Sequence, residues 1–423
     1  MVQSKRAVLS GVSLVLALFL SGAVFTPPAL SQDFQKVPII LRASDVLPRE
    51  LLSGPNYTVR ETVKSDGIVN VYEVDTQYGN IKVESTVLLL KRINELRALT
   101  KIEALKGTDV YLNAFKAATL QPVKTAEGLV TNPVGTVSGI ATGIGSFFSK
   151  IGTAVTDSGP HKDNVIDSLS GQASYKREFA HQFGVDPYSS YEPLQKALND
   201  LAWTAAAGGL TVKTALAAVP GAGVAIVSYA GTADSLKNLV TEKTAAELAA
   251  INQNKLNDMG VPSPTVQAFM HNATFNPHEQ TLLVGHLANM TGVADRKLYI
   301  ENAAGSHEES VAVFLRVRAQ LLNLYNEKVA PVAGFVNAGG IPLVMTKTGV
   351  LVGVYPLDYV GWTAPFAQKE TAASNAIEAM QGIKGKEFWI TGTVDPLART
   401  IFEKKGWKVV DRIQDRLLWK MEP

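Results

Sequence analysis

The chain has 423 residues, a formal net charge of +2 and no cysteine. Near-neutrality removes the long-range field that draws proteins onto nucleic acid or an anionic membrane. The missing cysteines exclude disulfide staples, thiolate nucleophiles and cysteine-based zinc sites together, while the length suffices for two or three packed cores.

Residues 1–31 have the order of a secretory signal peptide. Lys5 and Arg6 precede an uncharged apolar run over 7–25, and Pro27, Pro28, Ala29 and Ser31 follow it, so cleavage is expected after Ser31. An uncleaved anchor is the alternative, because the run is near the minimum that spans a bilayer. Against it, Ser10, Gly11, Ser13, Ser21 and Gly22 dilute the run, and no cysteine follows to carry a lipid. Cleavage removes Lys5 and Arg6 and no acid, leaving a formal charge of zero. These features predict an exported, periplasmic protein of the bacterial envelope.

Residues 32–55 read as an extended lead-in interrupted by Pro38, Pro48 and Pro55. Over 56–120 the pattern predicts a three-stranded antiparallel meander plus helices. Tyr57, Val59 and Val63 alternate with polar residues, Ser65-Asp66-Gly67 supplies a turn, and 68–75 and 81–84 give two further strands. So small a sheet needs a partner, and a helix from about Thr86 to the stop at Gly107 provides it. Leu89, Ile93, Leu96 and Thr100 share one helical face; Lys91, Arg92, Glu95 and Lys101 lie elsewhere, as solvated charges usually do. A second helix is predicted over 110–120.

The 121–160 segment is Gly-rich, and between Glu127 and Lys150 it carries no charge. Gly135, Gly139 and Gly143 recur at every fourth position, with Phe147 and Phe148 just beyond. On a helix this is a smooth stripe that lets two backbones approach closely, against a membrane neighbour or inside the protein. Three glycines cost about 3 kcal/mol of helix propensity, so the segment also reads as partly loop; it lacks the leucine density of a membrane span, which favours internal packing. Residues 161–295 read as helical: 175–183 stopping at Gly184, a helix entered through Pro193 with Leu194, Leu198 and Leu201, and an Ala-rich helix over 233–257. The uncharged stretch 214–233, broken at Pro220-Gly221-Ala222-Gly223, reads as a helical hairpin that is either buried or membrane-inserting.

Residues 296–423 read as an α/β domain. It starts with a strand over 297–303 and a helix over 308–328, where Ser306 and Glu309 have the spacing of a capping box. A hairpin of 342–345 and 350–355 follows, then a strand–helix–strand unit over 386–391, 396–405 and 407–411, with Asp395 as cap and Gly406 as stop. The expected fold class is α+β: a small N-terminal antiparallel meander, a mainly helical middle and a C-terminal α/β domain.

Chemical motifs are incomplete. His278-Glu279 and His307-Glu308 each open like the zinc-protease helix but lack a histidine four residues on; His286 comes eight after His278. Ser306, His307 and Glu308 are neighbours and cannot converge as a triad, and no Gly-x-Ser-x-Gly elbow is present. Thr391-Gly392-Thr393 precedes a helix N-terminus and is a candidate anion site. The sequence assigns no catalytic residue, cofactor or metal; dispersed Asp358, Tyr359, Glu378 and Asp395 would serve a hydrolase reading.

The string Gly184-Val185-Asp186-Pro187-Tyr188-Ser189 is a helix stop, an Asp-Pro turn and a fresh cap. With the Leu194–Leu198 helix, Trp203 and Gly406-Trp407 it resembles uncharacterised exported bacterial proteins that have no assigned activity. The resemblance implies export and transfers no site residue. The functional expectation is a non-enzymatic envelope protein that works through an unidentified protein partner or a membrane surface and not through nucleic acid. A periplasmic hydrolase and a membrane-inserting toxin are the alternatives.

Overall fold

In the computed structural model, which describes residues 34–120, 171–218, 232–417 and 419, the chain from Gln35 onward first builds an antiparallel sheet of six strands. These are β1 (Ile39–Arg42), β2 (Ser53–Gly54), β3 (Tyr57–Val59), β4 (Thr62–Ser65), β5 (Asn70–Thr76) and β6 (Gly79–Glu84), in the order β1-β4-β5-β3-β2 with β6 also on β5. The sheet is larger than the expected meander because the run from Tyr57 to Val63 breaks at Arg60. Its N–H bonds Glu73 O, and its guanidinium clamps Asp75 and Glu73. The expected lead-in is likewise structured. Between β1 and β2 lie two single turns, α1 (Ala43–Val46) and α2 (Arg49–Leu52), and Pro48 is the N-cap of the second. A proline bars a helix interior but suits its start.

Two helices follow, α3 (Thr86–Lys106) and α4 (Asp109–Leu120). The helical middle continues as α5 (Gln172–Phe183), α6 (Glu192–Gly208), α7 (Val212–Ala217), α8 (Thr232–Glu242), α9 (Ala245–Asp258), α10 (Ser263–Met270), α11 (Pro277–Asn289), α12 (Lys297–Ala304) and α13 (Glu309–Lys328). Gly208 lets α6 meet α4, since a Cβ there would stand 2.1 Å from Ala114 O. The expected Ala-rich helix is two helices, because Thr244 caps α9 through a reciprocal box with Glu247. Among the described residues no helix is long and apolar enough to cross a membrane. The signal peptide, the stripe of Gly135, Gly139, Gly143, Phe147 and Phe148, and most of the 214–233 hairpin lie outside the described residues.

Two expectations at the start of the C-terminal region are corrected. Residues 297–303 are helical, not a strand: Tyr299, Ile300 and Ala303 are buried together on one face of α12, which packs on α10. This packing outweighs the β preference of Leu298-Tyr299-Ile300. The Ser306–Glu309 capping box does not form. Glu308 is the N-cap of α13 without a side-chain bond, and the Glu309 carboxylate goes to Arg92 and Ser190 instead.

The remaining strands are β7 (Val332–Ala338), β8 (Ile341–Thr346), β9 (Val350–Tyr355), β10 (Tyr359–Val360), β11 (Gly385–Ile390), β12 (Thr393–Val394) and β13 (Trp407–Val410). Five form a mixed sheet in the order β13-β11-β9-β8-β7, with β13, β11 and β9 parallel and the other pairs antiparallel. Helices α14 (Ala364–Glu378) and α15 (Pro396–Lys404) are the crossovers between the parallel strands, and α16 (Gln414–Leu417) follows β13. Asp395 caps α15 by accepting Leu397 N–H at 2.8 Å, and Gly406 turns the chain at φ 80°. Side chains from both sheets and the helices between them share one buried apolar cluster. The class is α+β.

Candidate functional site

Two constellations stand out. The first is a buried ionic cluster built on α3. Lys91 Nζ lies 3.1 Å from Asp186 Oδ2 and 2.9 Å from Glu279 Oε1, and Arg316 meets the other Glu279 oxygen at 3.0 Å. Arg92 bridges Glu95 and Glu309. The Asp186 turn joins this cluster as well as closing locally. Its Oδ1 takes Tyr188 N–H at 2.8 Å, while its Oδ2 also takes an Asn276 amide N–H at 2.7 Å. The charged residues that helical periodicity places away from the apolar face, Lys91, Arg92 and Glu95, are therefore buried.

The electrostatics are those of charges held in place by one another. Burial pulls the Lys91 ammonium down, but Glu279 and Asp186 overcome it and hold it well above the ordinary lysine range. Burial pushes Asp186 and Glu279 up, and Lys91 overcomes that, so both stay below the carboxylate range. Burial dominates at His278, whose imidazole is held down, and at Glu95, whose carboxyl is pushed up. Asp186, His278 and Glu279 bring their donor atoms within 4.8 Å of one another, as a metal centre would. The Lys91 ammonium, however, already takes the cation position between the two carboxylates. The cluster reads as an internal lock joining α3, α11, α13 and the Asp186 turn.

The second constellation opens to solvent. A cavity of ≈ 70 Å³ lies between the C-terminal sheet and helices α14 and α15. Its floor is Leu343 of β8, Tyr355 of β9, Phe388 of β11 and Trp407 of β13; Phe366 and Ala373 of α14 and Phe402 of α15 close it from above. Strand alternation explains the floor. Phe388 faces the cavity, while its neighbour Trp389 stacks edge-on with Tyr325 of α13 across the sheet, at 5.3 Å between centroids. The Phe388 and Phe402 rings stack at 4.9 Å, with Trp407 edge-on to Phe402 at 6.3 Å. From the far face the Arg318 guanidinium sits 4.1 Å over the Tyr355 ring and bonds Val354 O and Pro342 O, fixing that wall.

Besides the Tyr355 hydroxyl and the buried, unpaired Trp407 indole N–H of the floor, the polar side chains of the lining are Lys369 and Glu370. Glu370 accepts from Ser374 Oγ at 2.6 Å and pairs with Lys405. Lys386 Nζ donates to Lys405 O and lies 5.4 Å from the centre of the Trp407 ring. Lys369 is exposed and has no partner among the described residues.

The residues singled out from sequence fall elsewhere. The amides of Thr391, Gly392 and Thr393 donate to Tyr355 O, Leu357 O and Asp358 O, so the backbone already uses the donors an anion would need. Gly392 is required by that approach, since a Cβ there would stand 1.8 Å from Asp358 O. Tyr359 OH donates to Asp395 Oδ2 at 3.0 Å, which also accepts from Gln35. Asp358 is buried at the start of α3, and Glu378 is exposed at the end of α14. The four do not converge. Sequence reasoning passed over the cavity because α14 carries two of its walls and was not anticipated; the aromatic spacing Phe388, Phe402, Trp407 was the available signal. No protein-family model matches the chain, and comparison with curated proteins and with solved structures returns no match.

Proposed function

We propose that this is an exported, non-enzymatic protein of the bacterial envelope that binds a small apolar ligand in the aromatic cavity of its C-terminal sheet. The cavity itself carries the reading. It is concave, open and walled largely by apolar and aromatic side chains with few polar groups, the usual make-up of a small-molecule site. Its titratable lining is Tyr355, Lys369 and Glu370; burial pushes the Tyr355 phenol up, and Glu370 is engaged by Lys405 and Ser374. Export rests on the charged, apolar and small-residue order of residues 1–31.

The test is ligand-observed NMR on the folded mature chain with 3-methylbutan-1-ol, whose branched end suits the volume. Saturation transfer is expected with the wild type and is lost in Ala373→Phe, which fills the cavity from α14. Absence of transfer in the wild type, or its persistence in the filled variant, contradicts the proposal.

A further inference from the structure

One charge at the mouth of the cavity is left unanswered and bears on its ligand. The lining holds one lysine, Lys369, and one carboxylate, Glu370; Lys405 pairs with Glu370, and Lys386 lies beside the Trp407 ring. Two of the ammonium groups have work within the protein. Lys405 neutralises Glu370, and Lys386 is held by Lys405 O and the face of Trp407. Lys369 remains on α14, one residue before Glu370 and one helical turn before Ala373, exposed at the mouth of an apolar cavity.

Volume limits the other end of the ligand. An apolar cavity of about 150 Å³ admits a benzene molecule; this one, at ≈ 70 Å³, is about half that and suits a branched alkyl end of about three carbons. A group seated there against Phe388 and Phe402 would direct a polar end toward the rim. A neutral polar end would find the Glu370 carboxylate already taken and Lys369 unanswered, whereas an anionic one answers Lys369.

Resting on the cavity as a ligand site, we infer that the ligand is a small monocarboxylate whose short branched apolar end fills the aromatic cavity and whose carboxylate meets Lys369.

The experiment compares 4-methylpentanoate with its neutral counterpart 4-methylpentan-1-ol, by NMR titration of the mature chain at low and high salt. The wild type is expected to bind the carboxylate about fivefold more tightly than the alcohol, the upper end for an exposed ion pair. Added salt should narrow that ratio. It should fall to about one in Lys369→Met and below one in Lys369→Glu. Equal binding of the two ligands by the wild type, or a ratio that survives Lys369→Met, overturns the carboxylate assignment and leaves the cavity as a ligand site. Failure of both ligands to bind the wild type overturns both.

Discussion

Asp358 links three distant stretches of chain through one carboxyl group. Its Oδ2 accepts N–H from Asn70 at 2.8 Å and from Thr86 at 3.0 Å, and its Oδ1 lies 3.1 Å from the same Thr86 nitrogen. The acid therefore satisfies a donor at the start of α3. Burial pushes its pKa up to about 7, against the pull of these N–H groups. A carboxyl raised in the folded state stabilises most below its unfolded value, near 4, and loses that contribution as pH rises through the folded value. Urea unfolding of the wild type should show stability falling between pH 4 and pH 7 by up to about 4 kcal/mol from this group. Asp358→Asn should lack that component; an identical pH profile in the two proteins contradicts it. Asp186 and Glu279, held low, act in the opposite direction, and their contribution is lost only as pH falls below about 4. Sequence reading noticed Asp358 as a carboxylate but not its role, because its partners lie 288 and 272 positions away and no local pattern encodes them.

At the scale of elements, α3 decides how the molecule holds together. Its ends were legible: Ser85 caps it through Leu88 N–H and Gly107 closes it. Its sides were not, since mixed charge on a helix usually means solvent. Here the partners of Lys91, Arg92 and Glu95 arrive from α11, α13 and the turn at Asp186–Ser190. Removing one member of a buried pair leaves the others uncompensated, so Lys91→Met should cost about 3–5 kcal/mol of unfolding free energy. The Lys91→Met, Glu279→Gln double variant should lose less than the sum of the single losses, with a coupling of about 1 kcal/mol or more. Denaturant titration of the four proteins measures both, and simple additivity would show that the contact carries no energy. A similar lesson applies to α12. Leu298-Tyr299-Ile300 favours a strand by composition, yet burial of Tyr299, Ile300 and Ala303 on one face makes it a helix.

On the scale of the whole molecule, the strand–helix–strand unit at the C-terminus was readable because its punctuation is local: Asp395, Pro396 and Gly406 mark the helix on both sides. The sheet around it was only half legible, since β7 and α14 carry weak periodicity and take their places by packing on α12 and β7 respectively. The cavity therefore emerges only when α14, α15 and four strands are assembled. The proposed export is tested separately from binding. Expressed with its N-terminus in a Gram-negative host, the protein should be released by osmotic shock and begin at Gln32. Retention with the membranes and an intact Met1 would contradict a cleaved signal peptide.

The most direct measurement is a methyl-resolved NMR map of the mature protein titrated with 3-methylbutan-1-ol. Binding in the aromatic cavity predicts shifts concentrated at Leu343, Leu357 and Ile341, which line it, with Leu96, Leu282 and Leu315 in the distant core unmoved. Shifts spread evenly over the molecule, or absent at the cavity methyls, would contradict the account.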